Sequence, residues 1–171
     1  MSLINGYRKA VVGQYEAALA TLMQCVDLCP EEMWNEPVAK NAFCESVFHA
    51  LIFGDLYLGN EVSELREQKF HQEHPEIFRD YEELEDRVPT LTYDKEMVRT
   101  YHEFVAKKAT EVLSQETEDS LSQIVGFEWL DITRAEMHLY NIRHIQHHAA
   151  QLILKLRLET ESDPRWFRSG Q

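Results

Sequence analysis

Along most of the chain the apolar residues recur three and four positions apart, the spacing that puts them on one face of an α-helix. From about Leu3 to about Leu28 the stripe is Tyr7, Val11, Tyr15, Ala18, Leu22 and Cys25, with Pro30 just past its end. PEEMWNEPV reads as a connection, with Trp34 expected to anchor it. A second helix is expected over about 39–58, closed by Gly59-Asn60. Its centre, SVFHALIFGDLYLG, is apolar nearly all round, which marks a helix buried on most sides. A third is expected over about 93–113, capped by Thr92 or Asp94, with the seam Val98, Tyr101, Val105, Ala109 and Val112. The linker QETEDSLSQIVGFEWL follows, with Gly126 as a turn residue. Thr133 then stands three before Glu136, the capping-box spacing, and opens a fourth helix over about 134–158. That helix spans on the order of 35–40 Å. Its seam is Met137, Asn141, Ile145, His148, Leu152 and Leu156, with Tyr140, His144 and Gln151 alongside.

Residues 61–92 are the least regular part, and a structureless run of that length is unusual inside a compact domain. A short helix is expected around 75–86, its acidic EELED facing solvent, with His71 and His74 as exposed loop residues. The tail ESDPRWFRSGQ is expected to pack Trp166 and Phe167 back on the helices. With only six glycines and five prolines to interrupt this pattern, the expected fold is all-α. It is a four-helix bundle in one domain, 1–171, with a long, partly helical excursion between helices 2 and 3.

Composition narrows the function classes. Apolar residues at 44% and charged residues at 27% suit a soluble globular protein. A formal charge of −13 with no basic stripe argues against nucleic acid and against an anionic membrane surface. The start MSLINGYRKAVVGQYEAALATLM is broken by Arg8, Lys9, Gln14 and Glu16, unlike a signal peptide. No window is long and apolar enough to span a bilayer, so a cytoplasmic protein is expected. Three cysteines make no disulfide framework, and Cys25 and Cys29 read as small buried hydrophobes.

The candidate chemistry lies in histidine. The stretch His138–Leu152 holds four of the chain's eight histidines. His144 and His148 stand four apart and project from one helix face, an arrangement that presets two imidazole ligands. His147 offers an alternative i, i+3 pair, but His148 lies on the apolar seam and is preferred. His49 sits mid-way along the second helix, at a depth matching the pair, and is the candidate third ligand. Three neutral nitrogens leave coordination positions open, as in reactive rather than structural zinc-type sites. Tyr140, Asn141 and Gln151 are candidates to orient ligands or substrate. Glu45 and Asp55 flank His49 along its helix, and outward salt bridges are expected for both. His102-Glu103 begins a zincin H-E-x-x-H, but position 106 is Ala, so His102 is read as a surface residue. His138 is read as peripheral.

This layout resembles the DinB/YfiT-like family of metal-binding four-helix bundles. The likeness rests on the histidine in VFHALIF, the H-x-x-x-H in RHIQHHAAQL, the Trp34 connection and the tail DPRWFRSG. It implies that His49, His144 and His148 are metal ligands. It further implies a metal-dependent hydrolase or a thiol-dependent transferase acting on a small-molecule or thiol substrate. The alternative is a non-catalytic metal-binding or dimerisation module. Zinc or nickel is the expected metal, with iron or manganese also compatible. A homodimer is expected from the apolar surplus in LIFGDLYL, and substrate entry from the end where the 61–92 excursion lies. A di-iron carboxylate site is excluded, because Glu-x-x-His pairs are missing from the required helices.

Overall fold

The computed structural model describes residues 2–78 and 92–169. Helix α1 (Leu3–Leu28) is followed by a 3-10 turn (Glu31–Met33) and a hairpin of β1 (Pro37–Val38) and β2 (Asn41–Ala42). Then come α2 (Phe43–Leu56) and the short helices α3 (Val62–Glu67), α4 (Lys69–Glu73) and α5 (Pro75–Phe78). The second half has α6 (Lys95–Gln115), the short α7 (Glu118–Ser122) and α8 (Arg134–Glu159). The four long helices make the expected all-α bundle, in which α1 and α2 each pack on both α6 and α8. None is long and apolar enough to cross a membrane.

Local chemistry sets the helix starts. Thr133 Oγ1 accepts from the Glu136 N–H (3.3 Å) and Glu136 Oε2 from the Thr133 N–H (2.9 Å), so the capping box forms as read. Asp94 caps α6 by accepting from the Met97 N–H at 2.8 Å. Helix α2 begins at Phe43 rather than near 39, because 37–42 turn back on themselves with Ala39 at φ 60°. Glu45 is taken up here. Its Oε2 accepts from the Ala42 N–H at 2.7 Å, capping α2 instead of forming an outward ion pair. Trp34 is buried and donates to the Tyr93 carbonyl (2.7 Å), the anchor expected of it.

Two buried polar clusters correct the sequence reading. Asp55 is fully buried, because α2 is enclosed on nearly all sides and its C-terminal turn has no outward face. Its carboxylate is met by His71 Nε2 (2.9 Å), the Tyr101 hydroxyl (2.8 Å), the Gln68 amide (3.2 Å) and the Lys108 ammonium. Burial pushes the Asp55 carboxyl up, but the bond from His71 and the Lys108 charge outweigh it and hold the group below its ordinary value. His71 is therefore buried, not an exposed loop residue, and its ring stacks on Phe78. His74 is partly exposed and pairs with Glu76. Of the helix expected over 75–86, Pro75–Phe78 is helical, while the EELED run lies outside the described residues.

The second cluster joins α1, α6 and α8. His138, expected to be peripheral, is wholly buried. It takes the Tyr15 hydroxyl at Nδ1 (3.2 Å) and offers Nε2 to Glu116 Oε1 (3.0 Å). Glu116 also binds Arg134 Nε (2.8 Å) and the Ser120 hydroxyl (2.5 Å). Burial raises the Glu116 carboxyl, but the bonds from His138, Ser120 and Arg134 bring it down to about 2. The Arg134 guanidinium then closes the end of α2 by donating to the Tyr57, Leu58 and Gly59 carbonyls.

Two further expectations change. The tail packs back through buried Pro164, the Gln24–Arg165 backbone bonds and half-buried Phe167, but Trp166 stays 81% exposed. Gly126 serves close approach rather than a special φ, since a Cβ there would lie 2.9 Å from the Asn60 carbonyl oxygen. Cys25 and Cys29 are buried, as read, and burial pushes their thiols up to about 12 and about 11.

His102 is half-buried, not a surface residue, and its Nε2 is enclosed without a hydrogen-bond partner. Burial pushes its pKa down to about 4, with Asp27 opposing. The unfolded chain, with a histidine near 6.5, therefore binds one more proton as pH falls from about 6.5 toward 4. Stability therefore falls as pH is lowered through that window, relative to its value above it. His102→Leu is expected to raise stability at pH 7 by about 1 kcal/mol, since it removes an unsatisfied buried group. It should also make the acid-side loss shallower, as read by urea melts from pH 4 to 7.5.

Candidate metal centre

The centre is built where α2 and α8 run antiparallel. Gly54 on α2 faces Ile145 on α8, and an added Cβ would come within 3.3 Å of Ile145 Cδ1. Beside it, fully buried Asn141 donates from Nδ2 to the Gly54 carbonyl at 2.8 Å. Asn141 thus holds the site through the position of α2 rather than by touching an imidazole. With the helices set this closely, His49 on α2 meets His144 and His148 on α8.

The three rings converge. Each offers a nitrogen, and these atoms lie within 4.8 Å of one another. His49 Nε2 and His144 Nε2 face each other at 3.4 Å. Ring centroids are 5.3 Å apart for His49–His144, 4.7 Å for His49–His148 and 4.6 Å for His144–His148. His148 Nδ1 lies 3.1 Å from Gln151 Oε1, so the Nδ1–H donates there and Nε2 keeps its lone pair. The Gln151 amide nitrogen meets His147 Nε2 at 3.2 Å, which orients the amide consistently. His147 is exposed and outside the cluster, as the preference for His148 required.

Electrostatics keep His144 and His148 neutral. Burial, then the charges of the other imidazoles, push His144 down to about 3 and His148 to about 4. Two Nε2 atoms face to face share at most one N–H···N bond, whereas a cation among the three nitrogens uses every lone pair. The donor set is all imidazole, so it fits a divalent late first-row ion with positions left over.

The comparisons with known proteins agree with this geometry. The pattern of the DinB superfamily matches residues 14–152, a span that contains all three histidines. This chain belongs to the DinB superfamily. Neither the curated proteins nor the solved structures give a match.

In this DinB-family chain an aromatic run that sequence reading missed adjoins the triad. Phe53 packs 4.7 Å from His49 and 5.5 Å from His144, and Tyr57 lies edge-on to His144 at 6.2 Å. Tyr140 and Phe127 both meet Tyr57 at 5.4 Å, and Trp129 meets Phe127 at 5.6 Å. The i, i+4, i+8 spacing of His49, Phe53 and Tyr57 was a usable signal; the loop residues Phe127 and Trp129 gave none. The described part of the excursion packs on another side of α2 and on α6, with His71 bonded to Asp55 of α2 and Phe70 stacked on Phe104 of α6 at 4.1 Å. The groove beside the triad is therefore bordered by the linker before α8, not by those residues. The apolar surplus of LIFGDLYL is also spent inside the chain, all but Phe53 among its large side chains being buried.

The α2–α8 approach can be tested through size. Gly54→Val is expected to destabilise by about 1–3 kcal/mol by overpacking against Ile145. Adding Ile145→Ala should restore part of the lost urea midpoint, because it removes the atom that the new methyls strike.

Proposed function

We propose that His49, His144 and His148 hold one divalent metal ion and that the centre serves a metal-dependent hydrolase or a thiol-dependent transferase, with 1–171 as one domain. The observation that carries the reading is the convergence of three imidazole nitrogens from two helices. Zinc or nickel is the preferred ion, with iron or manganese compatible with the same ligands. When bound, such an ion supplies Lewis acidity and makes a water or a thiol more acidic.

The protein's own groups do the positioning. Gln151 fixes the His148 ring by taking its Nδ1–H, and Phe53 covers the His49 and His144 rings on one side. The two carboxylates nearest in sequence are committed elsewhere, Glu45 to the start of α2 and Asp55 to His71 and Lys108. Neither supplies a base to the centre, so the acidity of the nucleophile rests on the ion and its imidazole ligands. The substrate in this reading is a small molecule or a thiol, handled in the cytoplasm. A homodimer belongs to the proposal too, now supported by exposed Leu154, Leu158 and Trp166 rather than by α2.

Protein purified without a histidine tag is expected to carry about one equivalent of metal by elemental analysis. His144→Ala should lose it, and Gln151→Leu should weaken affinity by roughly 10–100-fold. Absence of bound metal, with no gain in melting temperature on adding zinc or nickel, rejects the centre. Metal-loaded protein should then turn over generic esters, generic amides or thiol-transfer substrates. Metal without turnover across that panel favours the non-catalytic module.

A further inference from the structure

We propose that the α2–α8 groove is a two-part ligand site, in which the triad takes a donor head group and an adjoining aromatic floor takes an uncharged aromatic or arylalkyl body. This rests on the metal reading above and names the class of molecule that the centre accepts.

The floor follows from helix periodicity. His49, Phe53 and Tyr57 are successive turns of one α2 face, and Tyr140, His144 and His148 are successive turns of the α8 face opposite. Because the helices run antiparallel, histidines meet at one end of the groove and aromatic rings at the other. Eight residues of α2 separate His49 from Tyr57, about 12 Å along the axis. Phe127 and Trp129 extend the aromatic run beyond Tyr57.

Exposure separates the outer rings of this run from the core beneath them: Tyr57 and Phe127 are buried, whereas Phe53, Tyr140 and all three triad histidines are half-buried, and Trp129 is 52% exposed. Exposed aromatic surface contiguous with a metal-type centre is what a ligand covers on binding. The floor contains no charged side chain, so it does not select a phosphate or a carboxylate for the body. Its length suits an aryl ring carried on a few methylenes from the donor head.

Zinc-loaded full chain and two hydroxamates test this by calorimetry. Acetohydroxamate reads the head position alone, and 4-phenylbutanohydroxamate adds the aryl body. The aryl probe is expected to bind at least tenfold tighter. Trp129→Ala and Tyr140→Ala should each shrink that advantage to about threefold or less, and in Trp129→Ala one zinc per chain and the acetohydroxamate affinity persist. Equal affinities of the two probes in the unmodified protein, or an advantage untouched by both variants, overturn the aromatic floor and leave the metal centre standing. Failure to take up zinc, or to bind acetohydroxamate when loaded, overturns the metal centre and the floor with it.

Discussion

The bond from the Asn141 amide to the Gly54 carbonyl, with Ile145 pressed against the bare Cα of Gly54, sets how near α2 and α8 come. Everything at the candidate metal centre depends on that spacing. A side chain at position 54 would meet Ile145 first, and the imidazole of His49 would stand back from those of His144 and His148. Both partners are buried, so the amide bond is made where water does not compete and its loss would leave the Gly54 carbonyl without its side-chain donor. The same close pairing lays Phe53 and Tyr57 beside His144 of α8.

Two buried ionic clusters hold the irregular segments to this frame. Asp55 collects His71, Gln68, Tyr101 and Lys108, which ties the short helices after α2 to α6. Glu116 collects His138, Ser120 and Arg134, and Arg134 in turn closes the carbonyl end of α2. A carboxylate in such a place is tolerated only with several donors around it, and each of these has them. His71 and His138 thereby act as structural partners of carboxylates, chemically distinct from the all-imidazole triad. Five of the eight histidines thus divide by their neighbours: His71 and His138, each beside a carboxylate, serve the fold, while His49, His144 and His148, beside one another, form the candidate centre.

Membership in the DinB superfamily accords with the bundle and with the triad, and it leaves the reaction open. The packing of α2 on α8 adds what family membership does not: three imidazoles lie at one end of the contact and the rings of Tyr57 and Tyr140 at the other. The committed partners of Glu45 and Asp55 matter here as well, because they keep fixed negative charge out of the immediate centre.

The sequence by itself determined the four long helices, since a 3.6-residue apolar period and cap residues such as Thr133 and Asp94 are local properties. It also determined the candidate triad, because i, i+4 spacing and equal depth on two helices follow from helix geometry alone. Tertiary structure decided the rest. The start of α2 moved to Phe43 because a hairpin claims residues 37–42, a pairing that helical periodicity does not register. His71, His138 and Asp55 were misjudged because burial of a polar group depends on partners supplied from other helices, in the case of His138 and Glu116 from 22 positions away in sequence. The aromatic floor needed the antiparallel meeting of α2 and α8, with the linker folded across their end. Period and capping are written within one turn of helix; a site shared by two helices and a loop exists only once the chain has packed.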